Sequence, residues 1–104
     1  MMPKLALLVR LEAKPGKEAE VVKFLEAGLV LVRQEPTTPI WFALRLSPSS
    51  FGIFDAFHDE ADRQQHLSGP IAEALMAAAP ELLSRSPTIE TVDVLGLKNM
   101  LQTS

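Results

Sequence analysis

Two side chains stand where their chemistry is out of place. Asp55 interrupts the apolar run Phe51-Gly52-Ile53-Phe54-Asp55-Ala56-Phe57, and His66 follows on the next helical stretch, before a break at Gly69-Pro70. A buried carboxylate is costly unless donors or a raised pKa compensate it. An imidazole near neutral pKa can move a proton or polarise a hydroxyl. Together they suggest a proton-abstracting pair, with His66 as base or hydrogen-bond partner and Asp55 orienting it. The plain structural alternatives are a bond from His66 to Asp62 one turn back, and from Asp55 to backbone, Arg10 or Arg45. Trp41, Phe42, Phe51 and Phe57 are clustered in one hairpin, and flat rings of this kind suit a planar ligand as well as a core. Met76, among the small residues Ala72, Ala74 and Ala77 to Ala79, could line a cavity or fill it. The expected site is therefore His66 and Asp55 for chemistry, with Trp41, Phe42, Phe51, Phe57 and Met76 around a substrate.

Other chemistries find little support. With no cysteine among 104 residues, thiolate catalysis, disulfides and zinc–sulfur sites are absent. The glycines Gly28, Gly52 and Gly69 are isolated, so no phosphate-cradling loop is present. His58 and His66 with nearby acids make no convincing metal set. Ser68, His66 and Asp55 lack a nucleophile-elbow sequence. No metal and no cofactor are expected. A net charge of −3 gives no broad basic face for nucleic acid or anionic lipid. The N-terminal apolar run is cut by Arg10 and is far short of the roughly 20 residues of a membrane span. The expected location is the cytoplasm, with no membrane partner.

The elements that must position these residues follow from periodicity. Lys4 to Ala13 alternates as a strand, with Leu5, Leu7, Val9 and Leu11 on one face. Lys14-Pro15-Gly16-Lys17 breaks it. Roughly Lys17 to Gln34 is a helix, burying Val21, Phe24, Leu25, Gly28, Leu29 and Val32. Glu35-Pro36-Thr37-Thr38-Pro39 stops that helix. Ile40 to Leu46 and Phe51 to Phe57 form a hairpin around Ser47-Pro48-Ser49-Ser50. A symmetric loop puts Phe42 opposite Asp55 and leaves Trp41, Ala43, Phe54 and Ala56 together on the other face. Asp59 is a helix N-cap. The helix runs to about Leu67, resumes at Pro70 with Ile71, Leu75 and Ala78 on one side, and is broken by Pro80. Thr88 to Leu95 is the last strand, and Leu97 to Ser104 is an arm or tail.

The order strand, helix, strand, strand, helix, strand gives an α+β, ferredoxin-like βαββαβ domain with a four-stranded antiparallel sheet. The whole chain is one domain, with its core over about residues 4–96. Helices cover one sheet face only, yet both faces carry apolar residues. A homodimer that buries the second face is expected.

These residues also carry a resemblance. Lys14-Pro15-Gly16-Lys17-Glu18 precedes the first helix, Asp55-Ala56-Phe57 ends a strand, and Asp59-Glu60-Ala61 leads to His66-Leu67 and Pro70. In that order and spacing, from about Leu5 to Leu95, they resemble the antibiotic biosynthesis monooxygenase family of dimeric α+β barrels. The resemblance implies two sheets face to face and a pocket between sheet and helices. It also implies cofactor-independent oxidation of aromatic phenols or quinols, or degradation of haem. Asp55 stands where the family more often has glutamate. Met76 lies near the position where haem degraders keep a histidine, and the first strand has no asparagine, which argues against haem. The resulting expectation is a monooxygenase acting on an aromatic phenol or quinol. The alternative is a non-catalytic dimer binding a small hydrophobic ligand.

Overall fold

A computed structural model describes residues 2–99. Its elements are β1 (Leu5–Glu12), α1 (Glu18–Val32), β2 (Ile40–Arg45), β3 (Ser50–Phe57), α2 (Glu60–Leu67), α3 (Pro70–Leu82) and β4 (Thr88–Asp93). The strands make one antiparallel sheet in the order β2-β3-β1-β4. This is the expected ferredoxin-like arrangement. Leu5, Leu7, Val9 and Leu11 stand opposite Phe57, Asp55, Ile53 and Phe51, so these eight residues share the face under the helices. Val21 and Leu25 of α1 and Leu75 and Ala79 of α3 close the core against them. Among the described residues no helix is long and apolar enough to cross a membrane.

The β2–β3 register differs from the symmetric expectation by one residue. Trp41, not Phe42, lies opposite Asp55, while Phe42 pairs with Phe54 and Ile40 with Ala56. The cause is the loop. Leu46 N–H donates to the Ser50 carbonyl at 2.8 Å, which leaves three residues, Ser47-Pro48-Ser49, in the turn. Ser50 N–H is held in turn by the Ser47 hydroxyl at 3.1 Å. An odd loop shifts the pairing by one, and side chains alternate faces, so the whole of β2 inverts. Trp41 thereby joins Asp55 under the helices and Phe42 moves to the open face, where it is 55% exposed.

The helix boundaries follow local chemistry. Asp59 caps α2, its carboxylate accepting from Asp62 N–H at 2.9 Å. Pro70 takes the first turn of α3, where a missing N–H costs nothing. Pro80 does not break α3, contrary to expectation; the helix continues to Leu82. The proline sits in the last turn, and the carbonyl four residues back belongs to Met76, which is exposed and can be satisfied by water. The Lys14 ammonium donates to the Pro80 carbonyl at 2.7 Å, tying this end to β1. The fourth strand ends at Asp93 rather than Leu95. Of the expected arm, Met100 to Ser104 lies outside the described residues.

Gly28 is where α1 meets the site. A Cβ there would lie 3.0 Å from the Ile71 Cδ1 methyl and 3.5 Å from the Trp41 indole. The absent side chain lets helix and ring approach closely. Gly28→Val should overpack this junction and cost about 1–3 kcal/mol. Chemical denaturation followed by circular dichroism checks this; an unchanged midpoint would show that Ile71 and Trp41 have room to move.

Candidate functional site

The site is built on three elements. Asp55 comes from the middle of β3, His66 from the last turn of α2, and Glu35 from the connection between α1 and β2. Asp55 is 1% exposed and His66 7%. His66 Nε2 lies 2.9 Å from Asp55 Oδ2, and its Nδ1 lies 2.7 Å from Glu35 Oε1. The Thr38 hydroxyl donates to the same Glu35 oxygen at 2.8 Å and lies 3.5 Å from His66 Nδ1. The Phe57 ring packs beside the imidazole, with centroids 5.3 Å apart. A single imidazole thus bridges two carboxylates from distant parts of the chain.

The charges set one another's protonation. Burial pushes the Asp55 carboxyl up from its ordinary value; the contact with His66 pulls it back in part, and the net shift is upward. Burial disfavours the charged His66 ring, but the hydrogen bonds and charges of Asp55 and Glu35 outweigh it, so its pKa is raised. That shift favours the imidazolium, the form in which both ring nitrogens donate. The Asp55–His66 contact is an ion pair at 2.9 Å, made through Oδ2. Apart from that ion pair the Asp55 carboxylate has no side-chain partner among the described residues, and the buried Trp41 indole N–H has no acceptor.

Those groups border a small inner cavity of about 40 Å³. Asp55, His66 and Trp41 supply its polar edge, and Leu7, Ile71 and Leu75 are among its apolar walls. A water requires roughly 10–15 Å³ on this measure, so the cavity holds a few atoms and not a ring. On the other side of His66 lies an open cleft of about 410 Å³, bordered by Glu35, Thr37, Gln65 and Ser68. His66 is shared by both spaces; Asp55 borders only the inner one and Glu35 only the outer.

The structure brings together Asp55, His66, Trp41 and Phe57 from the expected set. It does not bring in the other three. Phe51 is a fully buried core residue with the Arg45 guanidinium 5.0 Å over its ring. Phe42 is on the open sheet face. Met76 is 55% exposed and borders a separate surface hollow with Pro80 and Arg85. Neither arginine considered for Asp55 reaches it: Arg10 pairs with Glu90 and Arg45 donates to the Pro48 carbonyl. Sequence reasoning missed Glu35, taking its segment only as a helix stop. The available signal was an acid immediately before Pro36 and two threonines between Pro36 and Pro39, directly after an amphipathic helix.

Removing the imidazole leaves two buried carboxylates facing each other. Breaking such a pair costs about 3–5 kcal/mol, so His66→Ala should lose about that much in urea unfolding. The pH dependence has a definite sign. Both raised pKa values mean that the folded state holds protons more tightly than the unfolded one. The His66 contribution is complete below about pH 6.5, the ordinary histidine value, and is lost as pH rises through the raised pKa. The Asp55 contribution is likewise present at acid pH and lost on the way up. Stability should therefore fall as pH is raised from 6 to 9, less steeply in Glu35→Gln. A flat profile in the wild type would contradict the imidazolium.

No family model matches the chain, and no curated protein matches it. Solved structures do. A protein of unknown function from Nitrosomonas europaea is 56% identical over 97% of this chain and 98% of its own, with a TM-score of 0.92. A candidate antibiotic biosynthesis monooxygenase from Caulobacter crescentus is 18% identical, covering 90% of this chain and 92% of its own, with a TM-score of 0.77. A second Nitrosomonas europaea protein of that description is 12% identical over 91% of this chain and 94% of its own, at a TM-score of 0.79. The chain belongs to the family of the first Nitrosomonas protein and has the ferredoxin-like fold of the antibiotic biosynthesis monooxygenase group.

Proposed function

We propose that the protein is a homodimeric, cofactor-independent monooxygenase that binds the hydroxyl of an aromatic phenol or quinol at Asp55. The observation that carries this reading is the buried Asp55 carboxylate, whose Oδ1 has no hydrogen-bond partner among the described residues, on the strand position opposite Trp41, whose buried N–H also has none. One hydroxyl satisfies both, donating to the carboxylate and accepting from the indole. The upward shift of Asp55 makes it the stronger base, while an imidazolium has no lone pair to take a proton. Asp55 is therefore the base and His66 its charge partner at 2.9 Å, where the sequence suggested His66 as base or hydrogen-bond partner and Asp55 as its orienting acid.

The cavity admits the hydroxyl and a molecule the size of O2. The ring lies outside it, toward the half-exposed Ile89 that contributes to the lining. The deprotonated substrate itself reduces O2. For a phenol the balance is one phenol and one O2 giving one para-quinone and one water; the para C–H carbon gains one oxygen atom. All electrons come from the substrate. What the names of the structural neighbours add is the fold's association with such oxidations, and the nearer Nitrosomonas relative is of unknown function.

The dimer is proposed on the open sheet face. Phe42 is exposed there, and Leu8, Ile40, Leu44, Phe54 and Val92 are only partly covered. A second copy would bury this patch at roughly 25 cal/mol per Å² of apolar surface. Light scattering should give twice 11.4 kDa, and Phe42→Asp should shift the particle to monomer. A wild-type monomer at high concentration would end this part of the proposal.

Oxygen consumption with a panel of naphthols, hydroquinones and anthrones tests the chemistry. Turnover should appear with at least one class, and Asp55→Asn should lower kcat/KM by about 100-fold or more. Trp41 is the sole tryptophan, so its fluorescence reports binding in the same cuvette. A fluorescence change without oxygen uptake would make the protein a non-catalytic binder of small hydrophobic ligands; neither signal would overturn the site.

A further inference from the structure

We propose that Glu35 is a proton exit of the Asp55 site, connecting the inner cavity to the outer cleft through His66. This rests on the reading that Asp55 accepts a proton from a ligand. It explains three features that reading leaves over. His66 is the one side chain that borders both spaces. Its two ring nitrogens meet carboxylates on opposite sides, at 2.9 Å inward and 2.7 Å outward. The outward carboxylate is itself aligned by the Thr38 hydroxyl and borders the outer cleft, while its second oxygen is buried without a partner among the described residues. A histidine needed only to orient Asp55 would require none of the outer half.

The proton balance closes without any other group. A ligand O–H gives its proton to Asp55, forming a neutral carboxyl and a ligand oxyanion. Neutral Asp55 no longer supports the imidazolium. His66 then passes the Nδ1 proton to Glu35 Oε1 and becomes the neutral ring, keeping its Nε2 proton toward Asp55. Glu35 gives the proton to water in the cleft. One proton enters at the inner carboxylate and one leaves at the outer, with no ring flip. Reprotonation of the oxyanion reverses the same path. Glu35 touches no ligand in this scheme; it acts through His66 and is a positioning and relay residue. The charged groups acting on the ring are Asp55 from β3 and Glu35 from the α1–β2 connection.

The test reads the ring protons directly and needs no substrate. In protein carrying 15N-labelled histidine, exchange of each His66 ring proton with water is followed by NMR at neutral pH. The Nδ1 proton should exchange at least tenfold faster than the Nε2 proton, and Glu35→Gln should slow it at least tenfold. A residue that only anchors the ring predicts the opposite sign, because weakening the anchor frees the ring and speeds exchange. Equal or faster exchange at Nε2, or an unchanged or faster Nδ1 rate in Glu35→Gln, overturns the proposal. If Glu35→Gln does not fold, the two wild-type rates decide, and Thr38→Val, which leaves the charges intact, should slow Nδ1 exchange by a smaller factor. Failure of these rates with oxygen uptake intact removes the exit alone; normal rates with no uptake remove the oxygenase reading alone.

Discussion

A carboxylate at the centre of β3, 1% exposed, is the constraint to which the rest of the structure answers. Burial alone would neutralise it. The chain instead sets beside it the buried His66 ring, whose protonated form pairs with it, and a second carboxylate that favours that form. Each member is costly without the others. The result is a cross-link among β3, the end of α2 and the α1–β2 connection. Phe57 packs against the ring, and the Arg63 guanidinium, anchored by Glu60, donates to the Ala6 carbonyl at 3.3 Å. α2 is thereby fixed over the strands at two points one turn apart.

The hairpin determines what else reaches that carboxylate. Had the Ser47-Pro48-Ser49 loop held one more residue, the indole would face away from the helices and a phenylalanine would stand opposite Asp55. The three-residue turn places a hydrogen-bond donor there instead. Gly28 completes the arrangement from above, since any side chain would meet Ile71 or the indole itself. The inner cavity is small because these parts close on it from three sides. Its character, a donor and an acceptor at one end of an apolar space, comes from the Trp41–Asp55 pairing across the two strands.

Most of the fold was legible because alternation and helical periodicity were clean. Leu5 to Leu11 and Phe51 to Phe57 could only be strands with one buried face, and Val21, Leu25 and Gly28 marked the buried side of α1. Pairing Asp55 with His66 was legible too, as polar groups in apolar surroundings need each other. Register was not legible, because β2 carries apolar residues on both faces and only the loop selects between them. Glu35 was hidden for a different reason. A charged residue at a helix end, beside proline, is by default a solvated terminator, and nothing local marks it as facing a histidine 31 residues away. Met76 misled because alanine-rich helix looks alike on its buried and exposed sides.

The sum of charges limits what the site can accept. With His66 protonated, two carboxylates and one imidazolium leave a net negative centre among apolar walls. A carboxylate or phosphate ligand would add a second uncompensated charge in a medium of low dielectric, where like charges repel strongly. A neutral hydroxyl adds none on entry. When it ionises, the proton it yields neutralises Asp55, and the new oxyanion replaces a charge that was already there. That internal transfer alone keeps the buried charge constant, and a later shift of the Nδ1 proton from His66 to Glu35 leaves the sum unchanged until the proton reaches water. A dry carboxylate, a shared ring and an outer carboxylate in contact with the cleft form an arrangement in which a buried hydroxyl can be ionised without changing the number of charges kept from water.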